Sequence, residues 1–202
     1  MTVALLETPP LVPPVGLGPY RRADCEALPD EPRCEWIFGR FHESPSPTPR
    51  HQYIAACLWR LLDDIARRHG GTALIAPVDV FIAEHSTVQP DVLYIQRGRL
   101  AITAKGVEGA PDLLIEVLSP RTGRRDRNDK MRLYAQSGVR EYWIVDPGLR
   151  QIEFLALQGE HFVVQDVDGG KYRSAACPEV ELDVEALWTA VEQRFAGEQT
   201  SP

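Results

Sequence analysis

Residues 113–118, Leu-Leu-Ile-Glu-Val-Leu, constrain the fold of this chain more than any other segment. Apolar side chains occur at both alternating positions, which is typical of a strand that lies inside a sheet and is covered on both faces. Glu116 interrupts the apolar run, and an ionised carboxylate in such a place costs on the order of several kcal/mol unless it is compensated. We therefore expect Glu116 to have a raised pKa, to pair with a cation such as a neighbouring arginine, or to bind a metal.

Hydrophobic periodicity predicts the elements around this strand. Thr48 and Pro49 have the residue types of an N-cap and a first helical position, and Gly70 ends the helical pattern that follows. The apolar residues of that helix are Ile54, Leu58, Leu61 and Ile65. Short apolar runs predict strands over 73–75, 78–82, 92–95 and 141–146, and a hairpin of residues 151–157 and 161–167. Amphipathic helices are predicted over 126–137 and after Asp183, so the order of elements indicates an α/β fold with a mixed central β-sheet flanked by helices.

The two ends of the chain differ in composition from its centre. Residues 1–19 are rich in proline without periodicity, so we expect an N-terminal arm, a domain over 20–197 and a short tail over 198–202. Residues 33–43 fit either a helix end or a strand that leads to a tight turn at Gly39. The sequence shows neither a signal peptide nor a membrane span, and its four cysteines form no CxxC pair. A reducing, cytoplasmic environment is the expectation.

The net charge of −7 excludes a protein that coats nucleic acid by bulk positive charge. A polynucleotide would have to meet a local basic patch. The strongly basic stretch in this acidic chain is 121–132, whose arginines include Arg121, Arg124, Arg125 and Arg127. This stretch is either a phosphate-binding surface or a solvated loop and helix face.

A second carboxylate, Asp91, precedes the predicted strand over 92–95. The connection between this strand and the strand of Glu116 is compatible with a hairpin, which would place both acids on neighbouring strands. Two carboxylates at one point attract a hard divalent cation. Pro90-Asp91 is, however, also ordinary turn chemistry at the start of a strand.

Lys130 lies four residues after Asp126 and four before Tyr134, so these residues share one face of the predicted helix. If that face packs against the strand of Glu116, Lys130 enters the same site as a cation. The alternative is a solvated Asp126–Lys130 pair on the helix surface.

Taken together, these residues closely resemble the Uma2 family, described as putative restriction endonucleases, within the PD-(D/E)XK nuclease superfamily. The resemblance covers about residues 20–195. Its most specific part is the run from Pro111 to Pro120, followed by Asp126, Lys130, Tyr134 and residues 138–147, Gly-Val-Arg-Glu-Tyr-Trp-Ile-Val-Asp-Pro. Weaker matches are Gln89-Pro90-Asp91, Glu35 with Gly39, and Ser44-Pro45 followed by His51.

The resemblance implies a restriction-endonuclease-like core and hydrolysis of DNA phosphodiester bonds with water activated at Mg²⁺, for which Mn²⁺ is a possible substitute. It implies that Asp91, Glu116 and the backbone carbonyl of Val117 bind the metal. The superfamily's lysine usually lies two residues after the acid, where this chain has Leu118. The resemblance therefore assigns the catalytic lysine to the following helix, at Lys130.

The resemblance also gives roles to three further acids. Glu35 would join the catalytic site as a ligand through water or as an orienting base, although Cys34 and Arg40 depart from the family pattern around it. Asp112 would be a strand-entry or supporting residue behind the metal ligands. Asp126 would orient Lys130 from the start of the helix.

Two other hypotheses remain beside the endonuclease. A nuclease fold without activity would be a module that binds nucleic acid or a protein partner. A structural, oligomer-forming protein would use the same polar residues as a salt-bridge network, which would leave no vacant cation site. A homodimer would suit cleavage of both DNA strands, by analogy.

Overall fold

The structure is a computed structural model that describes residues 17–26, 34–44, 46–99, 101–120 and 123–197. Most of the predicted arm and the whole of the predicted tail lie outside these residues. The helices are α1 (Arg22–Glu26), α2 (Pro49–His69), α3 (Gly123–Arg125), a π-helix (Asp126–Lys130), α4 (Met131–Ser137) and α5 (Val184–Arg194). The strands are β1 (Cys34–Ile37), β2 (Arg40–Glu43), β3 (Thr72–Ile75), β4 (Val80–Ala83), β5 (Ser86–Val88), β6 (Val92–Ile95), β7 (Ala101–Ile102), β8 (Val107–Glu108), β9 (Leu113–Val117), β10 (Glu141–Asp146), β11 (Gln151–Gln158), β12 (His161–Val164), β13 (Lys171–Arg173) and β14 (Glu181–Asp183).

Strand β9 lies inside a mixed six-stranded sheet of order β12-β11-β10-β9-β6-β3. It pairs in parallel with β10 and antiparallel with β6, and all five of its residues are buried. The parallel pair β9–β10 is joined by the helical segment over 123–137, since parallel neighbours need a crossover connection. The predicted α/β class with a mixed central sheet is thereby confirmed.

The two faces of this sheet are covered by different layers. Ile115 and Val117 face the core formed with α2 and α5, whereas Leu114 faces a core formed with α4 and a second sheet. That second sheet has the order β2-β1-β5-β4-β8-β7. Glu116 alternates with Ile115 and Val117, so its side chain points between the two sheets.

Helix α2 begins and ends where the sequence predicts. The Thr48 side chain accepts a hydrogen bond from the backbone N–H of His51, and Gly70 adopts the left-handed conformation at the C-cap. Ile54, Leu58 and Ile65 are buried as expected, but Leu62 rather than Leu61 completes the buried stripe. The result is a long rigid element whose first turn lies beside the carboxyl end of β9.

The predicted helix over 126–137 is confirmed, but its first part is a π-helix. The wider π turn carries Asp126 and Lys130, and both side chains are buried. Leu133 and Tyr134 continue the buried face in α4, which ends at Gly138 in the left-handed conformation. The crossover therefore turns Asp126 and Lys130, as well as its apolar residues, toward the sheet.

The segment around Gly39 is a strand rather than a helix end. β1 and β2 form a hairpin whose turn residues, Phe38 and Gly39, both have positive φ, as a tight two-residue turn requires. A Cβ at Gly39 would lie 2.3 Å from the Gly18 carbonyl oxygen, so glycine is also required sterically. The sequence did not predict strands β5, β7 and β8 or the β13–β14 pair. Each has only two or three residues, too few for a periodic pattern.

No helix in the described part of the chain is both long and apolar enough to cross a membrane. Cys34, Cys57 and Cys177 are free thiols, and Cys177 is buried in the core, in line with the expectation of reduced cysteines.

Glu141, at the start of β10, holds the C-terminal hairpin against the central sheet. Its buried carboxylate accepts hydrogen bonds from the Trp143 indole at 2.6 Å, the Tyr172 hydroxyl at 2.9 Å, the Ser174 hydroxyl at 2.6 Å and the Ala176 amide at 2.8 Å. Three of these donors belong to β13 and the residues directly after it, so one carboxylate fixes the position of the segment that leads to α5.

We expect Glu141→Leu to lower the free energy of unfolding by about 3 kcal/mol, because it leaves several buried donors unpaired. Urea denaturation measures the change. Glu160→Leu, at the exposed β11–β12 turn, is the control and should change the stability by less than about 0.5 kcal/mol. Equal effects of the two substitutions would show that the Glu141 network is dispensable.

Candidate active site

An open cleft of about 1550 Å³ lies where α2, the π-helix and the two sheets meet. Its lining includes Glu35, His51, Asp91, Glu116, Arg125 and Lys130. These residues come from five separate parts of the chain, since Arg125 and Lys130 both belong to the helical segment over 123–137. β6 and β9 are hydrogen-bonded neighbours, as predicted, and Val92 pairs with Ile115, which brings Asp91 next to the position of Glu116.

The centre of the cleft is the contact between Glu116 and Lys130. The Lys130 ammonium lies 2.7 Å from Glu116 Oε1, and the Tyr134 hydroxyl donates to the same oxygen at 2.7 Å. Oε2 of Glu116 takes neither of these contacts. Because Lys130 is only 2 % exposed, the alternative of a solvated pair on the helix surface is wrong.

Glu35 reaches the same lysine from the second sheet. Its Oε1 lies 2.8 Å from the Lys130 ammonium and accepts a hydrogen bond from the Gln89 amide at 2.8 Å. Its Oε2 lies 3.1 Å from the Arg125 guanidinium. The structure thus brings Glu35 into the cleft, where it holds Lys130 directly.

Asp91 lies on the other side of Glu116, toward helix α2. Its Oδ2 accepts a hydrogen bond from the Val117 amide at 2.7 Å and lies 3.1 Å from Nε2 of His51. Both contacts fall on the same oxygen, so Oδ1 takes neither of them. Asp91 keeps 18 % of its side chain exposed, which leaves it open to the cleft.

The pKa values of Glu116 and Lys130 are both raised. Burial raises the pKa of Glu116 well above its ordinary range, and the charges of Asp126, Asp91 and Glu35 raise it further against the opposing effect of Lys130. Burial by itself would lower the pKa of Lys130, but the charges of Glu116, Glu35 and Asp126 raise it above its ordinary value. The carboxylates of Glu35 and Asp126 raise both pKa values, so negative charge is concentrated in this part of the cleft.

The pKa of His51 is also raised. Burial lowers its pKa, but the hydrogen bond to Asp91, the charge of Asp91 and the backbone of Val117 together raise it above the ordinary value. In contrast, the pKa of His42 is lowered by burial and by the charge of Arg125. The negative potential is therefore local to the side of the cleft that holds Asp91 and Glu116.

The residues present fit a divalent cation. Asp91 and Glu116 supply carboxylate oxygens, and the excess of negative charge is what a bound cation would balance. Across the described residues, no cluster of three or more His, Cys, Asp or Glu side chains has the arrangement of a metal site. Such a cluster is not required by the expected ligand set, which consists of two carboxylates and the Val117 carbonyl.

Two predicted supporting acids have different positions. Asp126 is buried, with its carboxylate 3.8 Å from the Lys130 ammonium, close enough to contribute charge to it. Asp112 is not part of the cleft: it lies four residues before Glu116, about 13 Å along the strand. Its carboxylate contacts Arg99 at 3.2 Å, Arg140 at 3.1 Å and the Gln96 amide at 2.8 Å. Of its two predicted roles, the strand-entry role is the one the structure supports.

The predicted basic surface is engaged with carboxylates. Arg125 contacts Glu35, and Arg127 contacts Glu153 and, at 3.4 Å, Asp146. Both arginines line the cleft. Arg121 and the side chain of Arg124 lie outside the described residues. A phosphate at this surface would have to exchange with existing ion-pair partners at Arg127, which is 34 % exposed.

Two residues of the cleft had no predicted site role. His51 appeared only as a weak match to the family pattern, and Tyr134 only as a neighbour of Lys130 on the helix. The i,i+4 spacing of Lys130 and Tyr134 was the available signal for Tyr134. For His51, the signal was a polar ring in the first turn of an otherwise amphipathic helix, and its distance to Asp91 could not be read from the sequence.

Comparisons with known proteins identify the family and support the fold. The family model Uma2, described as "Putative restriction endonuclease", matches residues 21–185. A crystal structure of a putative nuclease belonging to DUF820 from Anabaena variabilis superposes with a TM-score of 0.71 at 19% sequence identity, and covers 86% of this chain and 99% of that chain. At that identity, the second match supports the fold alone. No curated protein matches the chain.

The raised pKa of Glu116 predicts a pH-dependent effect of Glu116→Gln in metal-free protein. The folded state holds the proton of Glu116 more tightly than the unfolded chain, whose ordinary pKa is 4.5. The parent protein therefore loses stability as the pH rises from that value through the folded pKa, whereas glutamine does not titrate. We expect equal stabilities near pH 4 and an advantage of at least about 1 kcal/mol for Glu116→Gln at pH 8.

Urea denaturation in the presence of a chelator measures this difference, with Glu160→Gln at an exposed turn as the control. Addition of Mg²⁺ should raise the Tm of the parent and leave that of Glu116→Gln unchanged. If Glu116→Gln were instead less stable than the parent at pH 8, Glu116 would serve mainly as the structural partner of Lys130.

Proposed function

Since the chain belongs to the Uma2 family, whose description is that of a putative restriction endonuclease, we propose that it is a metal-dependent endonuclease that hydrolyses DNA phosphodiester bonds. The observation that carries the proposal is the Lys130 ammonium, buried between Glu35 and Glu116 at an open cleft. A buried lysine beside acids at the end of a central strand is a costly arrangement for stability alone. It is the arrangement that the family resemblance requires for catalysis.

We propose that Asp91, Glu116 and the Val117 carbonyl hold Mg²⁺, with Mn²⁺ as a possible substitute. The bound ion would supply positive charge to the phosphate and lower the pKa of a nearby water. Oδ1 of Asp91 and Oε2 of Glu116 would be the oxygens available to the ion, because the existing contacts of these two carboxylates fall on Oδ2 and Oε1.

Lys130 acts as a permanent cation in this proposal rather than as a base. Its raised pKa keeps the ammonium protonated throughout the neutral range. A protonated amine donates hydrogen bonds, so it can hold the attacking water or stabilise the negative charge that develops on the phosphate oxygens. Glu35 and Glu116 fix the position of the ammonium, and Glu35 is thus a positioning residue.

The second candidate is a protein that keeps the nuclease fold but has no catalytic activity. In such a protein, a structural network of salt bridges would be formed by Glu35, Glu116, Lys130 and Arg125. The short distances within this group favour it, since every member has an oppositely charged partner. Burial, together with the charges of Asp126, Asp91 and Glu35, raises the pKa of Glu116 in spite of Lys130. The pair with Lys130 therefore does not fully offset the cost of ionising this carboxylate, and a bound cation would reduce that cost, which supports the endonuclease.

We expect Lys130→Met to reduce metal-dependent DNA cleavage by at least about 100-fold, because it removes a preorganised cation from the reacting phosphate. The substitution keeps the packing of the stem. Mg²⁺ affinity should be equal or higher, since one positive charge leaves the cleft. Cleavage rates, calorimetry with Mg²⁺ and melting curves measure these effects.

Lys171→Met, on exposed β13, is the control for loss of a lysine and should cleave at the parental rate. A folded Lys130→Met protein that cleaves as fast as the parent would exclude Lys130 from catalysis. A panel of single- and double-stranded DNA and RNA, with Mg²⁺ and with Mn²⁺, identifies the substrate class.

Leu118→Lys in the Lys130→Met background tests the geometry. Leu118 lines the cleft and follows Glu116 by two residues, so its side chain leaves from the same face of the strand. We expect partial recovery of cleavage, about tenfold over Lys130→Met, because a lysine in packed surroundings is held less well. A well-folded double variant with no recovery would show that this position cannot substitute for Lys130.

Phosphate contacts are proposed for Arg127 at the rim of the cleft. Arg127→Ala should weaken DNA binding similarly for all sequences and reduce the salt dependence by about one counterion, because phosphate contacts have no sequence specificity. Arg173→Ala removes an arginine that is also paired with a carboxylate, but far from the cleft, and serves as the control. Unchanged salt dependence in Arg127→Ala would place the DNA path elsewhere.

A further inference from the structure

The loop between β10 and β11, residues 147–150, forms part of the rim of the cleft. Asp146 pairs with Gln151 at the base of this hairpin, and Pro147 and Gly148 line the cleft. The next residue, Leu149, is 65 % exposed, more than any other large hydrophobic residue in the part of the chain that the structure describes. A single exposed leucine is ordinary on a protein surface, so it is the position of Leu149 beside the cleft that gives its exposure meaning.

The loop holds Leu149 in a defined position. Oδ1 of Asp146 accepts hydrogen bonds from the backbone amides of Gly148 and Leu149, both at 3.0 Å. Oδ2 of Asp146 lies 3.4 Å from the Arg127 guanidinium, which ties the loop to the π-helix. An apolar side chain on such a loop can enter a narrow space at a lower entropic cost than one on a flexible segment.

Arg150 places a positive charge directly after Leu149. Its φ of 53° lies in the left-handed region, which glycine or asparagine adopts more easily than arginine. Its Nε lies 3.7 Å from Glu192 Oε1, but that oxygen is closer to Arg50, at 3.0 Å. Because Arg150 is also 57 % exposed, its guanidinium can turn to a phosphate with little loss of existing contacts.

The loop lies close enough to the proposed catalytic centre to meet the same DNA molecule. Ile144 of β10 pairs with Glu116 of β9. Leu149 follows Ile144 by five residues, which span at most about 18 Å of extended chain. Phosphates follow one another about every 3.4 Å along one strand of DNA. A duplex with a phosphate at Glu116 therefore has base steps within reach of Leu149.

We propose that Leu149 is a wedge that enters a base step of double-stranded DNA beside the cleft, while Arg150 contacts a neighbouring phosphate. The inference rests on the proposed function, because it describes how the same site holds its DNA. An apolar side chain between two base pairs partly unstacks them and kinks the duplex, so that the DNA can wrap more of the protein surface. In a chain with a net charge of −7, this contact compensates for the scarcity of positive charge that could hold DNA by its phosphates alone.

Binding without cleavage tests the wedge. The full chain is titrated, with Ca²⁺ in place of Mg²⁺, with a fully paired DNA duplex and with the same duplex carrying one mismatched pair, and a denaturing gel checks that the DNA stays whole. A mismatch is already partly unstacked, so we expect the parent to bind the mismatched duplex at least about fivefold more tightly. Leu149→Ala should bind both duplexes equally. Leu149→Phe keeps an apolar wedge and should keep the preference.

Two further variants separate the wedge from general effects. Val164→Ala, an exposed residue of β12 away from the cleft, is the matched control and should keep the preference of the parent. Arg150→Asn tolerates the left-handed conformation but lacks the charge, so it should weaken binding of both duplexes by about threefold and leave the preference unchanged. Melting curves of all variants verify that each is folded.

A parent without preference for the mismatch, or a preference that persists in Leu149→Ala, would overturn the wedge. Either result would leave the proposed endonuclease intact if Lys130→Met still lost DNA cleavage. A parent that binds neither duplex would overturn the wedge and the proposed DNA substrate together. A preference that depends on Leu149, in a protein that cleaves no DNA, would support the wedge and contradict the proposed catalysis.

Discussion

The contact of one buried ammonium with two carboxylates determines how the layers of this protein meet. Lys130 comes from the π-helix, Glu116 from the central sheet and Glu35 from the second sheet. The Lys130 ammonium lies 2.8 Å from Glu35 Oε1 and 2.7 Å from Glu116 Oε1. A buried charge without its partners would cost several kcal/mol, so each layer is stabilised in the position that keeps the contact. The open cleft lies along the same seam, which places the charged centre of the fold in contact with solvent.

The charges around this centre do not cancel. Glu35, Asp91, Glu116 and Asp126 all act on the same region, and the pKa values of Glu116, Lys130 and His51 are all raised. A protein selected for stability alone would reduce this imbalance, for example by replacing one carboxylate with an amide. A site that receives a cation retains the imbalance, because the ion supplies the missing charge. This is why the electrostatics and the proposed chemistry point to the same residues.

Membership of the Uma2 family and the likeness to a structure of only 19% identity show that this fold tolerates wide sequence change. In this fold, the carboxyl end of β9, the start of β6 and the first turn of α2 lie next to one another at the cleft. The buried lysine of the cleft comes from the crossover segment because the π-helix turns Lys130 toward Glu116 of β9. Leu118, directly after β9, also lines the cleft and follows Glu116 by two residues.

The sequence by itself determined the buried central strand, the capped helix α2, the amphipathic crossover helix and the pairing of the strands of Asp91 and Glu116. These features follow from local patterns, since burial on both faces, helical spacing and capping residues are all encoded within about twenty neighbouring residues. Only the tertiary structure decided which charges meet. The family resemblance implied supporting roles for both Asp112 and Asp126, but strand length separates Asp112 from the cleft, whereas the π-helix buries Asp126 beside Lys130. His51 and Asp91 are forty residues apart in the chain, and their 3.1 Å contact exists only because α2 and β6 pack at the same end of the sheet. Short strands such as β5, which pairs with its neighbour β4 and with β1, were likewise set by their pairing in the second sheet rather than by any pattern of their own.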